Sequence, residues 1–142
     1  MFRLLLSAII GWLLGRERKK HDKGGGSRTL AIVSLACCLV AILSLQISTI
    51  INPTTHNFTR MMAYCIVGIG FLGSSVIIQT KKKIEGITTA SLIWASVPIS
   101  FCIGLGFYFY GIISAILIYC ILESKYFNIK KIKERLNGIY KV

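Results

Sequence analysis

The reactive side chains of this 142-residue chain are few, and their positions exclude most chemistry. There are five acids, Glu17, Asp22, Glu85, Glu123 and Glu134, two histidines, His21 and His56, and five cysteines, Cys37, Cys38, Cys65, Cys102 and Cys120. None of the acids lies within an apolar run. Proton- and cation-coupled pumps carry ionisable groups at membrane depth, and a magnesium path wants carboxylates or carbonyls around a partly hydrated ion. A nucleophile with its base is equally absent, because neither histidine falls in a Ser-His-Asp or Cys-His pattern. The cysteines have no C-x-x-C spacing and no neighbouring histidine, as a zinc site would require. They read as reduced, small apolar packing residues. No enzymatic activity, cofactor or metal is expected.

Two glycine patterns imitate nucleotide sites. Gly68-Ile69-Gly70-Phe71-Leu72-Gly73 matches G-x-G-x-x-G letter for letter. The dinucleotide fingerprint must follow a strand and open a helix, whereas this one lies inside Met61 to Ile78, 18 residues without a formal charge. Lys23-Gly24-Gly25-Gly26-Ser27 lacks the spacing of a phosphate-binding loop and reads as a flexible turn. Glycines within membrane helices let neighbouring backbones approach closely. Gly68, Gly70 and Gly73, with Gly11 and Gly15 of a G-x-x-x-G, are therefore expected to be helix-packing residues, and leucine at Gly70 or Gly73 to wedge helices apart.

The elements carrying these residues follow from composition. Hydrophobic residues make up 54% of the chain and charged residues only 15%, with a mean hydropathy of +0.69. Leu30 to Ile51 is 22 residues without a charge, and Ile87 to Leu122 is 36. About 20 apolar residues cross a hydrocarbon core, and their backbone must be satisfied internally, which selects helices. The 36-residue run is too long for one span and breaks at Gly104-Leu105-Gly106, before a belt of Phe107, Tyr108, Phe109 and Tyr110. Asn52-Pro53-Thr54-Thr55 ends the second span, and Lys81-Lys82-Lys83 closes the third near Ile78. Met1 to Leu14 is short for a span, but Arg16 to Lys20 follows it as a stop-transfer flank, and no cleavage site does. The expected fold is all-α: a polytopic membrane bundle of about five helices over residues 1–123, with a basic amphipathic tail over residues 124–142.

Charge orients it. In a five-span arrangement, 15 of the 17 basic residues fall on one side, leaving Arg3 and Arg60 on the other. The positive-inside rule then puts the N-terminus outside and the C-terminus inside. This asymmetry also accounts for the net charge of +12 without nucleic acid. The lysines of the tail suit the anionic inner leaflet. Glu17, Arg18, Arg28, Thr29, Thr88 and Thr89 collect at the inner ends of spans one, two and four, where they form a polar cluster or serve as interface anchors and caps. Arg60 opens span three from the outer side.

Four ordered stretches give the chain a family resemblance. Gly11-Trp12-Leu13-Leu14-Gly15-Arg16-Glu17-Arg18, Gly25-Gly26-Ser27-Arg28-Thr29, Arg60 through Gly68-Ile69-Gly70-Phe71-Leu72-Gly73, and Gly86-Ile87-Thr88-Thr89-Ala90-Ser91-Leu92-Ile93-Trp94 resemble the motifs of the MgtC/SapB family of bacterial inner-membrane proteins. The likeness covers roughly residues 4–122. Some polar family positions differ: Leu30 stands where histidine is usual, Asn57 for an aspartate, Tyr64 for a glutamine, and Glu85 for a basic residue. The resemblance implies a short form, without the soluble C-terminal domain of longer members. It implies a role in adaptation to low magnesium and to life inside host cells, exerted on other membrane proteins, the F-type ATP synthase among them. Besides the lipid bilayer, the expected partners are such a protein or further copies of this chain. The alternative is a small ion or solute transporter or channel formed by oligomers.

Overall fold

The computed structural model describes residues 1–19, 26–51, 57–81 and 83–139, excepting the side chains of 19, 51, 57, 58 and 125–139. His21, Gly24, Gly25, Pro53, His56, Lys82 and the side chains of the tail lie outside the described residues. Five helices account for nearly all of the fold: α1 (Phe2–Lys19), α2 (Ser27–Ile51), α3 (Asn57–Ser75), α4 (Ile87–Leu105) and α5 (Tyr108–Ile139).

Several boundaries differ from the sequence reading. α1 does not stop at Leu14 but runs through the charged flank to Lys19, 18 residues or about 27 Å. α3 ends at Ser75, because the chain then folds into a short antiparallel hairpin, β1 (Ile78–Thr80) and β2 (Lys83–Glu85), with Ile78 opposite Glu85 and Thr80 opposite Lys83. β-Branched Ile78, Thr80 and Ile84 favour strands here, where Lys81-Lys82-Lys83 was expected only to close the third span. Residues two apart share a strand face, so Lys83 Nζ reaches Glu85 Oε1 at 2.7 Å. That hydrogen bond, with the carboxylate's charge, raises the Lys83 pKa.

Glycines set both ends of α4. Gly86 has φ 90°, and a side chain there would strike the Val76 carbonyl. Gly106 has φ 95°; its N–H donates to Ile103 O at 3.1 Å, and the next N–H, of Phe107, to Cys102 O at 2.7 Å. This is a Schellman stop, which a left-handed residue makes possible. Of the expected Gly104-Leu105-Gly106 turn, Gly106 alone turns the chain, and Gly104 stays helical. α5 does not break at Glu123 but runs 32 residues, about 48 Å.

The helices form one bundle in which α2 packs against α1, α3 and α4, and α5 covers α1 and α4. Its interior is small and partly polar. Cys37, Cys38, Ala41, Ser7, Ser34, Ser44, Ser96 and Ser100 are each at most 1–2% exposed, among Leu30, Ile93 and Ile103. The large apolar side chains of Leu5, Ile9, Val67, Phe71, Ile116, Leu117 and Ile121 face outward. An aqueous solvent would drive the reverse arrangement. A bilayer permits this one, since lipid is as apolar as leucine and close packing of small residues holds the helices. α2 over residues 27–50 and α4 are each long and apolar enough to cross a membrane, and residues 108–124 of α5 form a shorter apolar stretch.

Candidate functional site at the basic end of the bundle

The site begins with two glycines. A methyl group at Gly11 would lie 2.5 Å from the Leu30 carbonyl and 2.7 Å from Ser34 Cβ, and one at Gly15 would lie 2.6 Å from Ser27 Cα. Only glycine lets α1 and α2 come this close. One turn above Gly11, Ser7 Oγ donates to the Ser34 carbonyl at 2.9 Å. Leu30, at the position where the family resemblance has histidine, is fully buried beneath these glycines.

Following α1 downward, this contact carries Glu17 and Arg18 into the bundle. They are 1% and 3% exposed, and Arg18 Nε donates to Glu17 Oε2 at 2.7 Å. Neighbouring residues on a helix normally point about 100° apart, so both side chains must turn toward one another to pair. α4 runs antiparallel to α1, and Arg3 Nη1 donates to the Gly104 carbonyl at 2.9 Å. Thr89, in the first turn of α4, is also buried, at 2% exposed. A buried charge needs partners, and Glu17 and Arg18 supply one to each other.

The expected cluster is divided by this arrangement. Glu17, Arg18 and Thr89 are buried, whereas Arg28, Thr29 and Thr88 are exposed on its rim. Arg18 pairs with Glu17 inside the bundle, where Gly15 lets the end of α1 lie close against Ser27 of α2, while Arg28 and Thr88 stay exposed. Arg60 belongs to the other end, where its Nε donates to Tyr64 Oη at 3.3 Å and its guanidinium lies 5.8 Å from the Tyr64 ring. The family's glutamine position is thus filled by the ring under Arg60. Glu85, a further departure, pairs with Lys83 in the hairpin.

The glycines of α3 behave differently from those of α1. Nothing lies within 4 Å of a methyl group placed at Gly68 or Gly70, and at Gly73 the Ala90 carbonyl is 3.6 Å away, an ordinary contact. The expectation that all five glycines pack helices of this chain is therefore corrected for Gly68 and Gly70, and leucine at Gly70 separates no pair of its own helices. Instead, Gly70, Gly73 and Ser74 of α3 face Ala90, Ser91 and Trp94 of α4 across an open cleft of about 390 Å³. The tight glycines that the sequence reading missed are Gly104, against the Cys38 carbonyl at 2.7 Å, and Gly111, 3.0 Å from Ile103. Arg3 was also passed over: besides Gly104 it donates to Tyr108 Oη at 3.0 Å. Its signal was a charge placed early in an otherwise apolar segment. Cys37 and Cys65 bring their sulfurs to 3.6 Å across α2 and α3. Among the described residues, no three His, Cys, Asp or Glu side chains converge as metal ligands would.

Comparison with known proteins agrees with the four motifs. The model of the MgtC family matches residues 4–129. The chain is 36% identical over 121 residues to an uncharacterised protein of Haemophilus influenzae, covering 82% of this chain and 51% of that one. It is 32% identical over 126 residues to the putative magnesium transporter YhiD of Escherichia coli, covering 87% and 59%. With protein MgtC of Salmonella typhimurium the identity is 32% over 120 residues, covering 84% and 49%. The chain thus spans about half to three-fifths of the length of these relatives. No solved structure matches it. With most of its length under the family model, and with the outward-facing apolar side chains of a membrane bundle, the chain is a membrane protein belonging to the MgtC family.

Proposed function

We propose that this chain is a non-enzymatic protein of the bacterial inner membrane that acts by docking another membrane protein, in adaptation to low magnesium or to life inside host cells. All five helices span the bilayer, with the N-terminus outside and the basic end inside. The asymmetry of 15 basic residues to two supports that orientation. One observation carries the mode of action. Gly70 and Gly73 line an open cleft with α4, and a side chain added at Gly70 would meet nothing within 4 Å. Small residues on an open membrane face admit the backbone of a second helix, and such contact is what holds helices together in lipid. The F-type ATP synthase is one candidate partner by family resemblance; a second copy of this chain is another.

Transport is the second reading, favoured by the printed name of the Escherichia coli relative. Against it, the acids of this chain avoid its apolar runs, and the Ser7, Ser96 and Ser100 hydroxyls inside the bundle donate to backbone carbonyls. The deciding measurement is magnesium flux into vesicles holding this protein alone, alongside growth in low magnesium of cells carrying Gly70→Leu. The docking reading expects flux equal to that of empty vesicles, and a folded Gly70→Leu protein that no longer supports growth. Flux above the empty-vesicle level would replace it with transport.

A further inference from the structure

At the end of the bundle opposite Glu17, a pocket of about 330 Å³ opens between α2 and α3, lined by Ser44, Ile47, Ser48, Arg60, Met61 and Tyr64. Arg60 occupies the first turn of α3. Tyr64, one turn on, accepts a hydrogen bond from its Nε at 3.3 Å and lies with its ring centroid 5.8 Å away. This fixes the plane of the guanidinium while consuming one of its five N–H donors. Tyrosine is neutral, so the charge itself is not balanced.

The sequence holds nothing at this end that could balance it. No Asp or Glu occurs before Glu17, between Asp22 and Glu85, or from Gly86 to Leu122. Neither α2, α3, the residues joining them, nor the α4–α5 turn therefore carries a carboxylate. Arg3, held by the Gly104 carbonyl and Tyr108, is a further cation of this end. The amino end of α3, with its partial positive charge, points the same way. Arg60 is exposed at the mouth of the pocket beside apolar Ile47 and Met61, so an anion from outside the chain can reach its remaining N–H donors. Guanidinium forks, hydroxyls and a helix amino end together suit an oxygen-rich anion.

We infer that the Arg60–Tyr64–Ser48 pocket binds a phosphate group at the outer face, either the headgroup of a phospholipid whose glycerol and chains run along Ile47 and Met61, or free phosphate. Arg60 supplies the charge and its remaining N–H donors, Ser48 a hydroxyl, and Tyr64 holds the guanidinium in place.

The test uses the full chain in nonionic detergent, following its thermal midpoint while dioleoyl phosphatidylglycerol is titrated in one arm and inorganic phosphate in another, at matched ionic strength. Both arms are repeated with Arg60→Gln, with Ser48→Leu, which fills the pocket and leaves the charge, and with Arg16→Gln, which removes an exposed cation at the other end. Loss of one charge-assisted contact should raise the concentration needed for half the shift by about tenfold or more in Arg60→Gln and Ser48→Leu, and leave Arg16→Gln near wild type. A response to lipid alone assigns the headgroup, and a response to both probes assigns free phosphate as well. No shift in wild type, or equal responses in wild type and Ser48→Leu, would overturn the site, and the latter comparison stands even if Arg60→Gln fails to fold.

Discussion

Replacing Gly11 with alanine adds one methyl group to α1, and the position of that carbon sets the sign of the result. It would lie 2.5 Å from the Leu30 carbonyl oxygen and 2.7 Å from Ser34 Cβ, where comfortable carbon contacts begin at about 3.5 Å. α1 must move off α2 by about 1 Å. Overpacking of this size costs about 1–3 kcal/mol, and straining the Ser7 to Ser34 hydrogen bond costs up to about 1 kcal/mol more. Alanine returns about 0.8–1 kcal/mol as the better helix former. The net loss is therefore about 0–3 kcal/mol. Gly70→Ala gains the same propensity and meets nothing within 4 Å, so it is neutral or stabilising by about 1 kcal/mol. The assay is reversible unfolding of both variants in one detergent, monitored by far-UV circular dichroism. A midpoint for Gly11→Ala equal to or above that of Gly70→Ala would show that α1 and α2 are not in the close contact described, and would remove the reason for the burial of Glu17.

Four further outcomes follow from the geometry and the charge placement. Glu17→Gln leaves Arg18 buried without its charge partner and should destabilise the fold by about 3–5 kcal/mol. Pairing it with Arg18→Met should recover part of that loss, and strictly additive losses would refute the buried pair. In low magnesium, Glu17→Gln should grow poorly and Lys133→Glu normally at matched protein levels; equal growth would remove Glu17 from the mechanism. Arg3→Met should lower stability by about 1–3 kcal/mol through loss of the contact to Gly104, with Tyr108→Phe costing less, and the reverse order in thermal melts would reassign the clamp. Reporter fusions after Ile51 and Gly106 should read as external and those after Lys83 and Val142 as cytoplasmic, whereas a cytoplasmic signal at Ile51 would refute five spans.

Length, uncharged runs and charge placement determined that this chain makes helices suited to a membrane, because burying that many apolar residues without water leaves the backbone one way to satisfy itself. The same information located a turn within residues 104–106 and, through four motifs, the family. Tertiary structure alone decided what each polar residue and glycine does. Gly11 and Gly70 are both glycines within uncharged stretches, yet one faces Leu30 and Ser34 and the other open space, a difference set by which helix crosses above them. Glu17 and Arg28 both flank spans, but the close approach at Gly15 draws only the former inside. The hairpin at 78–85 was missed because a cluster of lysines reads as a loop until Ile78 and Ile84 are seen on paired strands. The end of α5 was misplaced for a related reason: the sequence marks where a helix leaves its apolar stretch, and nothing in that change of solvent stops the helix from continuing.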